Sequence, residues 1–237
     1  MPLKTNNLYK ILLDHFGKQN WWPIDKKYHQ LNKTDPRFEI MVGAILTQNT
    51  AWINVEKALN NLKSDHALDA SNIYEINENK LKKLIQPSGY YNQKTQRLKQ
   101  LSFHLKNNYS YNLDEFFNRK TNRIRSELLS LNGIGPETAD SILLYAGEHP
   151  IFVVDAYTKR ISKRIPLQTS TKTYDDIQTF FQNSLTNHFK DKKLVETYKE
   201  LHALIVELAK NFCKKNPNCN SCILKKNCSF KKINLSK

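Results

Sequence analysis

The chain has 237 residues, enough to bury a hydrophobic core in one large domain or in two packed ones. It carries 37 Lys and Arg against 22 Asp and Glu, a formal net charge of +15, which favours a polyanionic partner such as nucleic acid, a membrane surface or an acidic protein. No stretch approaches the ~20 consecutive apolar residues of a membrane-spanning helix, and the N-terminal segment lacks the apolar run of a signal peptide. We therefore expect an intracellular protein.

The hydrophobic pattern predicts helices almost throughout the chain. In chain order they fall on residues 1–19, 38–46, 51–62, 80–85, 94–105, 123–131, 137–146, 173–185 and 194–212. Pro87 and Gly89 end the fourth of these helices. The run 151–154 has a strand-like composition but is too short to form a sheet alone, so we interpret it as an extended connector. The predicted fold class is all-α.

A tight turn separates the helices at 123–131 and 137–146. Two of the six glycines, Gly133 and Gly135, lie within three residues there, and Pro136 follows. Glycine permits positive φ and close approach of a ligand to the backbone, and proline suits the first turn of a helix. Amides at such a turn can bind a phosphate, which positions a duplex without reading its sequence. The alternative is a helical hairpin whose glycines only allow close packing.

An aspartate follows the hairpin in the run Phe-Val-Val-Asp-Ala. Taken alone, Asp155 is typical of a helix N-cap. Together, the hairpin and the Val-Asp pair resemble the helix-hairpin-helix superfamily of DNA glycosylases, and endonuclease III-like members in particular. The resemblance implies that Asp155 is the catalytic carboxylate of an enzyme that cleaves the N-glycosidic bond of a flipped base. It also implies contacts to the DNA backbone from Gly133, Ile134, Gly135 and Thr138.

The implied chemistry needs a carboxylate because cleavage of the N-glycosidic bond builds positive charge on the sugar. A carboxylate can also orient or deprotonate an attacking water. Bifunctional members of the superfamily carry a lysine two residues after the second glycine, and that lysine attacks the sugar. This chain has Glu137 there, which cannot form a Schiff base. We therefore expect a monofunctional glycosylase that leaves an abasic site, with Lys159 as the alternative nucleophile.

The early helix and its flanks bear on the substrate. Adenine-specific members carry a glutamate where this chain has Gly43, which argues against that branch. The runs Trp-Trp-Pro at 21–23 and Gly-Ala-Ile-Leu-Thr-Gln-Asn-Thr at 43–50, with the hairpin that lacks lysine, resemble the 3-methyladenine glycosylase III branch. That branch implies an alkylated purine, whose cationic ring gains from aromatic faces.

The same resemblance assigns further residues to the site. A side chain of the loop after the early helix fills the gap left by the flipped base. The predicted pocket and insertion residues are Trp21, Trp22, Trp52, Gln48 and Asn49, and Lys94 and Arg97 are candidate DNA-backbone contacts. The alternatives are that the tryptophans are packing anchors and that the loop residues cap a helix.

All four cysteines fall within 16 residues, in the spacing Cys213-x5-Cys219-x2-Cys222-x5-Cys228. Thiols so close together in a reducing compartment indicate a metal site, and this spacing suits both a four-cysteine zinc site and a [4Fe–4S] cluster. Endonuclease III-like enzymes place a cluster here, after a long helix, which favours [4Fe–4S]. The first interval is five residues where the family usually has six, and the alkylation branch includes members without a cluster.

We therefore expect a two-lobed, all-α glycosylase with its DNA cleft between the lobes. Residues 30–148 would form a central helical barrel with the hairpin at about 123–146. Residues 1–29 and 149–237 would form the iron–sulfur lobe, with its cluster loop at 213–228. The expected partner is double-stranded DNA with a damaged base, and the enzyme is expected to be a cytoplasmic, nucleoid-associated monomer without membrane contacts.

Two rival functions remain open on the sequence. The first is an endonuclease III-like glycosylase and abasic-site lyase that acts on oxidised or mismatched pyrimidines. The second is a non-catalytic DNA-binding protein that has kept the hairpin and lost the chemistry.

Overall fold

The computed structural model describes residues 3–165, 167, 173–228 and 230. Within them all regular structure is helical. The α-helices are α1 Thr5–Phe16, α2 Lys26–Asn32, α3 Pro36–Leu46, α4 Trp52–Ser64, α5 Ala70–Glu75, α6 Glu78–Ile85, α7 Tyr91–Tyr109, α8 Leu113–Phe117, α9 Thr121–Ser130, α10 Pro136–Ser141, α11 Ala156–Arg164, α12 Tyr174–Thr186 and α13 Asp191–Asn211. The predicted all-α class is confirmed.

The chain divides into two compact units. One consists of Met1–Trp21 together with Pro150–Lys237, and the other of Trp22–His149. Residues 22–29 and His149 thus group with the central part of the chain, whereas the sequence-based division placed them in the other lobe. The functional division into a barrel lobe and a cluster lobe stays a prediction.

The central unit, residues 22–149, is built around α3. Asp35 begins this helix by accepting a hydrogen bond from the Arg37 amide at 2.9 Å, and Pro36 occupies its first turn. Every residue of 38–46 is buried, because α4, α7 and the turn after α10 surround the helix. Apart from Glu39, which pairs with His29 and Lys63, the run is apolar, and such a run without a polar face fits only a buried position. The helix therefore serves as the core of the unit that carries the hairpin.

The hairpin consists of α9, the turn at 131–135 and α10, which continues as a π-helical turn over Ile142–Ala146. An ion pair joins its two helices: the Arg125 guanidinium donates to both carboxylate oxygens of Asp140, at 2.7 and 3.2 Å. The Asp140 side chain is completely buried. Because a buried charge needs a partner, this pair fixes α9 against α10.

The other unit contains α1, α11, α12 and α13. The long helix α13 packs against α1 and α11 and buries an apolar stripe along its length. The run Ile151–Val154 is buried without helix or strand geometry, as predicted for a connector. It leads directly to Asp155, so the site residue lies where a buried segment enters a helix.

The helices α2, α5 and α8 escaped sequence prediction, and α11 was expected only as the helix that follows Asp155, without bounds. Each of the first three has only five to seven residues, too few for an apolar period to emerge. Their N-caps start them instead, since the side chains of Asp25, Asp69 and Asn112 each accept a backbone N–H of the first turn. No helix among the described residues combines the length and apolar character needed to cross a membrane.

Candidate active site

The two glycines of the hairpin turn meet different requirements. Gly133 has φ +80°, and a Cβ added there would lie 2.1 Å from Nε of Arg97. Gly135 has φ −92°, and a Cβ there would meet nothing within 4 Å. The expectation of positive φ thus applies to Gly133 alone. Both glycines are exposed, whereas Ile134 between them is buried.

The Gln48 side chain connects the loop after α3 to this turn. Its Nε2 donates to the carbonyl of Gly133 at 3.0 Å and to Oγ1 of Thr138 at 2.8 Å. The Arg97 guanidinium donates to its Oε1. Both ends of the amide are therefore engaged within the central unit. Asn49 is the exposed residue of the loop, in the left-handed region at φ +55°.

Lys94 corrects one sequence-based expectation. Its side chain is completely buried, and its ammonium donates to the carbonyls of Leu46 and Ser88, both at 2.7 Å. Burial, together with the nearby charge of Arg97, lowers the pKa of Lys94 to about 8. A lysine in this position holds the end of α3 against the turn before α7. It does not face a DNA backbone.

The adjacent tryptophans have separate surroundings. In the central unit, Trp22 packs edge-on against Trp52 and Tyr145, each with ring centroids 5.3 Å apart. A Cβ at Gly43 would lie 3.1 Å from two atoms of the Trp22 indole, so the glycine of α3 makes room for this ring. Trp21 belongs to the other unit. It packs edge-on against His202, with ring centroids 5.9 Å apart.

Asp155 is a helix cap and also a buried carboxylate. Its Oδ1 accepts the amide of Thr158 at 2.6 Å, which begins α11. Its Oδ2 lies 3.7 Å from Nε2 of His202 on α13. Burial alone would raise the pKa of this carboxyl, but His202 and Thr158 together hold the pKa of Asp155 below its usual value. The carboxylate is therefore ionised at neutral pH.

Sequence reasoning missed His202. It stands within the apolar run 201–206, where a single histidine is most simply interpreted as part of a core. One polar residue in a run with five apolar ones was the available signal. Nothing in the sequence indicates which distant group it contacts.

The four cysteines lie around one cavity at the end of α11. They line it together with apolar side chains that include Ile161, Leu208 and Leu224. Burial, and then the neighbouring thiols of the other three cysteines, raise the pKa of Cys222, so the four sulfur atoms are close enough to interact. Among the described residues, no three Cys, His, Asp or Glu side chains are arranged around a single-ion site.

Two arginines of α11 attach the cysteine loop to that helix. Arg160 Nε donates to the carbonyl of Cys213 at 2.8 Å, and Arg164 donates to the sulfur of Cys213 at 3.5 Å and to the carbonyl of Lys215 at 3.0 Å. In return, the Cys228 thiol donates to the Arg164 carbonyl at 3.4 Å. The helix that Asp155 begins therefore ends against the cysteine cavity.

More than half of the chain matches one known family. Residues 42–187 match the model of the HhH-GPD superfamily of base excision DNA repair proteins. The chain belongs to this superfamily. The match spans Gln48, the hairpin and Asp155. The enzymatic class of the chain is DNA N-glycosylase, in the endonuclease III-like group.

Several sequence relatives cover most of the chain. A protein of Methanocaldococcus jannaschii, provisionally named a DNA repair glycosylase, is 47% identical over 94% of this chain and 95% of its own length. Endonuclease III of Thermotoga maritima is 26% identical over 87% of this chain and 89% of its own length. This HhH-GPD chain is therefore similar along its length to complete members of the group.

Two solved structures resemble the HhH-GPD chain. The H. pylori 3-methyladenine DNA glycosylase bound to 1,N6-ethenoadenine superposes with a TM-score of 0.68 at 30% identity, covering 88% of this chain and 98% of that one. A non-covalent endonuclease III–DNA complex gives a TM-score of 0.72 at 20% identity over 100% of both chains. The second likeness shows the fold alone.

Proposed function

We propose that the chain is a monofunctional DNA glycosylase that releases an alkylated purine, such as 3-methyladenine, from double-stranded DNA. Asp155 is the catalytic carboxylate. The observation that carries this proposal is the division of its two oxygens. Oδ1 is used in capping α11, whereas Oδ2 is outside the cap, on a buried carboxylate that stays ionised.

An ionised carboxylate in a buried site can stabilise the positive charge that develops on the deoxyribose as the base departs. Charge–charge interactions are strong there because the surroundings screen them poorly. The same carboxylate can orient water or accept a proton from it. The products are a free base and an abasic site.

The monofunctional reaction follows from Glu137. This residue is exposed in the first turn of α10, at the position where bifunctional relatives carry their lysine. A carboxylate cannot attack the sugar to form a Schiff base. Lys159 remains the alternative nucleophile, and its ammonium lies 5.4 Å from the centre of the Tyr174 ring. Water is the nucleophile in the proposed reaction.

The alkylated-purine substrate is supported by the aromatic cluster of Trp22, Trp52 and Tyr145. Electron-rich indole faces favour a cationic, methylated purine by cation–π attraction. The likeness to the H. pylori enzyme bound to 1,N6-ethenoadenine points to the same class of base. Trp21 stays a predicted base-pocket residue, and we assign Gln48 and Asn49 to the gap left by the flipped base. The exposed Asn49 is the first of the two to reach DNA.

DNA contact is assigned to the hairpin turn at Gly133, Ile134, Gly135 and Thr138. The open space beside Gly135 supports this, because the protein's own packing does not require glycine there. A phosphate could approach its backbone closely. The net charge of +15 favours such a polyanionic partner. We further propose that the enzyme acts as a monomer.

We also propose that Cys213, Cys219, Cys222 and Cys228 hold a [4Fe–4S] cluster, with zinc as the alternative. Four thiols around one partly apolar cavity suit such a group. When bound, the cluster would fold the 213–228 loop, since metal binding and folding of such loops are linked. No catalytic step depends on it.

Metal analysis of protein purified without oxygen tests this assignment. We expect iron and acid-labile sulfide in a ratio of about 1:1, with the broad visible absorption of a cluster. Cys222→Ser should lose both metal and absorption. One zinc ion per chain without sulfide would contradict the cluster and support the four-cysteine zinc site.

Base release from a panel of duplexes tests the function. The panel contains methylated purines, oxidised pyrimidines and T·G and U·G mismatches, and strand breaks are scored before and after hot alkali. We expect release of 3-methyladenine, with breaks only after alkali. Breaks without alkali on oxidised pyrimidines would instead establish an endonuclease III-like lyase. This is the second candidate function, and the similarity to the T. maritima enzyme supports it.

Asp155→Asn tests the assigned role of the carboxylate. The amide keeps the size and can still cap α11, but it cannot stabilise positive charge. We expect base release to fall at least about 100-fold, while affinity for an undamaged duplex changes little. Undiminished release would remove Asp155 from the mechanism.

A further inference from the structure

His202 lies beside Asp155 and has no role in the proposed function so far described for Asp155 and water. The two side chains come from the start of α11 and the middle of α13, which pack against each other. Both are buried, with 8% and 5% of their surface exposed. His202 Nε2 lies 3.7 Å from Asp155 Oδ2. A small shift of either side chain would bring these atoms to hydrogen-bonding distance.

The geometry gives the two carboxylate oxygens different tasks. Oδ1 is fixed by the amide of Thr158, so the plane of the carboxylate is set by the helix cap. Oδ2 then points to the imidazole. Trp21 packs against that ring in a T-shaped arrangement and restricts its orientation. Asp155 is thus fixed on one side by the backbone of its own helix and faces a side chain of another helix on the other side.

A lysine of α11 and a lysine of α13 near this pair contact aromatic rings. On α11, Lys159 follows the cap, and its ammonium lies over Tyr174 of α12. On α13, Tyr198 has its pKa raised to about 12 by burial and stays neutral. Lys210 lies 5.8 Å from the centre of the Trp21 ring. His202 and Thr158 lower the pKa of Asp155, and no carboxylate contributes to the shift.

We propose that His202 is a positioning residue for the glycosylase reaction, one that keeps Asp155 ionised in its buried site and directs Oδ2. The inference rests on the proposed catalytic role of Asp155. A protonated imidazole stabilises the carboxylate by charge and by hydrogen bonding. A neutral imidazole protonated at Nε2 does so by hydrogen bonding alone. Without either, burial would dominate and favour the neutral acid.

The test is the pH profile of single-turnover base release from methylated duplex DNA. In the unmodified enzyme, the acid limb should lie below the ordinary Asp pKa of 3.8, because the pKa of Asp155 is depressed. In His202→Phe, which removes both charge and donor, the limb should move up by about one pH unit or more. His202→Gln keeps an N–H donor, so its limb should lie between the two.

His29→Gln is a matched control in the central unit. His29 is also buried, with 3% of its surface exposed, and it pairs with Glu39 at 2.8 Å. Its loss should cost stability without moving the acid limb. If this variant shifts the limb as much as His202→Gln does, the effect reports general destabilisation and the proposal fails.

Stability provides a readout independent of activity. A carboxyl with a depressed pKa stabilises the fold above its ordinary pKa, and this contribution is lost as pH falls through the folded value. His202→Gln should reduce that contribution, so the pH dependence of the free energy of unfolding should flatten. The Asp155→Asn background should abolish this difference.

The outcomes separate this inference from the function on which it rests. An inactive Asp155→Asn together with unchanged pH profiles in both His202 variants would overturn the role of His202 and leave the catalytic carboxylate intact. An active Asp155→Asn would overturn the catalytic role of Asp155 itself. Shifted acid limbs and an inactive Asp155→Asn would support both.

Discussion

At the scale of single residues, the hairpin turn shows how two glycines can serve different purposes. Gly133 is required by the protein itself, because its φ is +80° and the Arg97 side chain occupies the space of a Cβ. Gly135 has an ordinary φ and empty space beside it. If glycine is needed at Gly135, the need arises from whatever approaches the turn from outside.

Alanine substitutions separate these requirements. Gly133→Ala should lower the free energy of unfolding by about 1–2 kcal/mol from positive φ alone, with a further loss as Arg97 is displaced. Gly135→Ala should change stability by less than about 0.5 kcal/mol and weaken binding to a duplex with an abasic-site analogue. Denaturant unfolding and fluorescence anisotropy measure the two effects. Unaltered binding by Gly135→Ala would argue against a DNA contact there.

Gln48 illustrates the limit of interpretation from sequence at this scale. A glutamine after an apolar helix was expected to insert into DNA, and that role stays a prediction. The structure adds that its amide already binds Gly133, Thr138 and Arg97. Insertion would therefore first require these hydrogen bonds to break, whereas Asn49 is exposed without such a rearrangement.

At the scale of elements, the hairpin depends on the buried pair of Arg125 and Asp140. Asp140 is fully buried and accepts two hydrogen bonds from the guanidinium, which is itself 25% exposed. Breaking such a pair from one side leaves a buried charge without its main partner, which is more costly than replacing both members. The pair therefore sets how firmly α10 is held to α9.

Arg125→Leu should lower the free energy of unfolding by about 3 kcal/mol, as measured by denaturant titration. The double variant with Asp140→Leu should recover part of this loss, because no charge remains buried. Lys193→Leu is the matched control, since Lys193 pairs with Glu196 at the surface and should have little effect. An Arg125→Leu protein as stable as the parent would mean that the pair contributes nothing to the hairpin.

Helix α11 is the element that links Asp155 to the four cysteines in its unit. Asp155 begins it, and Arg160 and Arg164 attach its other end to the cysteine loop. An α-helix of nine residues is rigid over its length of about 13 Å. One rigid helix thus connects Asp155 to the loop at 213–228.

At the scale of the whole molecule, the fold class followed from the sequence because long apolar periods and the Gly-x-Gly turn are local signals. The short helices α2, α5 and α8 were not predicted, because they depend on caps and on tertiary contacts rather than on periodicity. The connector at 151–154 was predictable because a short apolar run has few other uses.

The site was predictable only in part, for a physical reason. Asp155, Glu137 and the cysteines occur in motifs whose spacing is fixed by one stretch of chain. His202 and Lys94 derive their roles from partners far along the sequence, the first from Asp155 and the second from the carbonyls of Leu46 and Ser88. Such pairings are properties of packing, and no local pattern encodes them.

The division of the chain also has a consequence for the order of folding. The central unit is continuous over 22–149, whereas the other unit combines the first 21 residues with everything after 149. During synthesis, α1 must wait for α13 before it can bury its apolar face. If the central unit folds first, the effective loop between α1 and α13 becomes shorter. The entropic cost of closing that loop then falls. Asp155, whose neighbour His202 lies on α13, would thus be among the last groups to reach its final surroundings during synthesis.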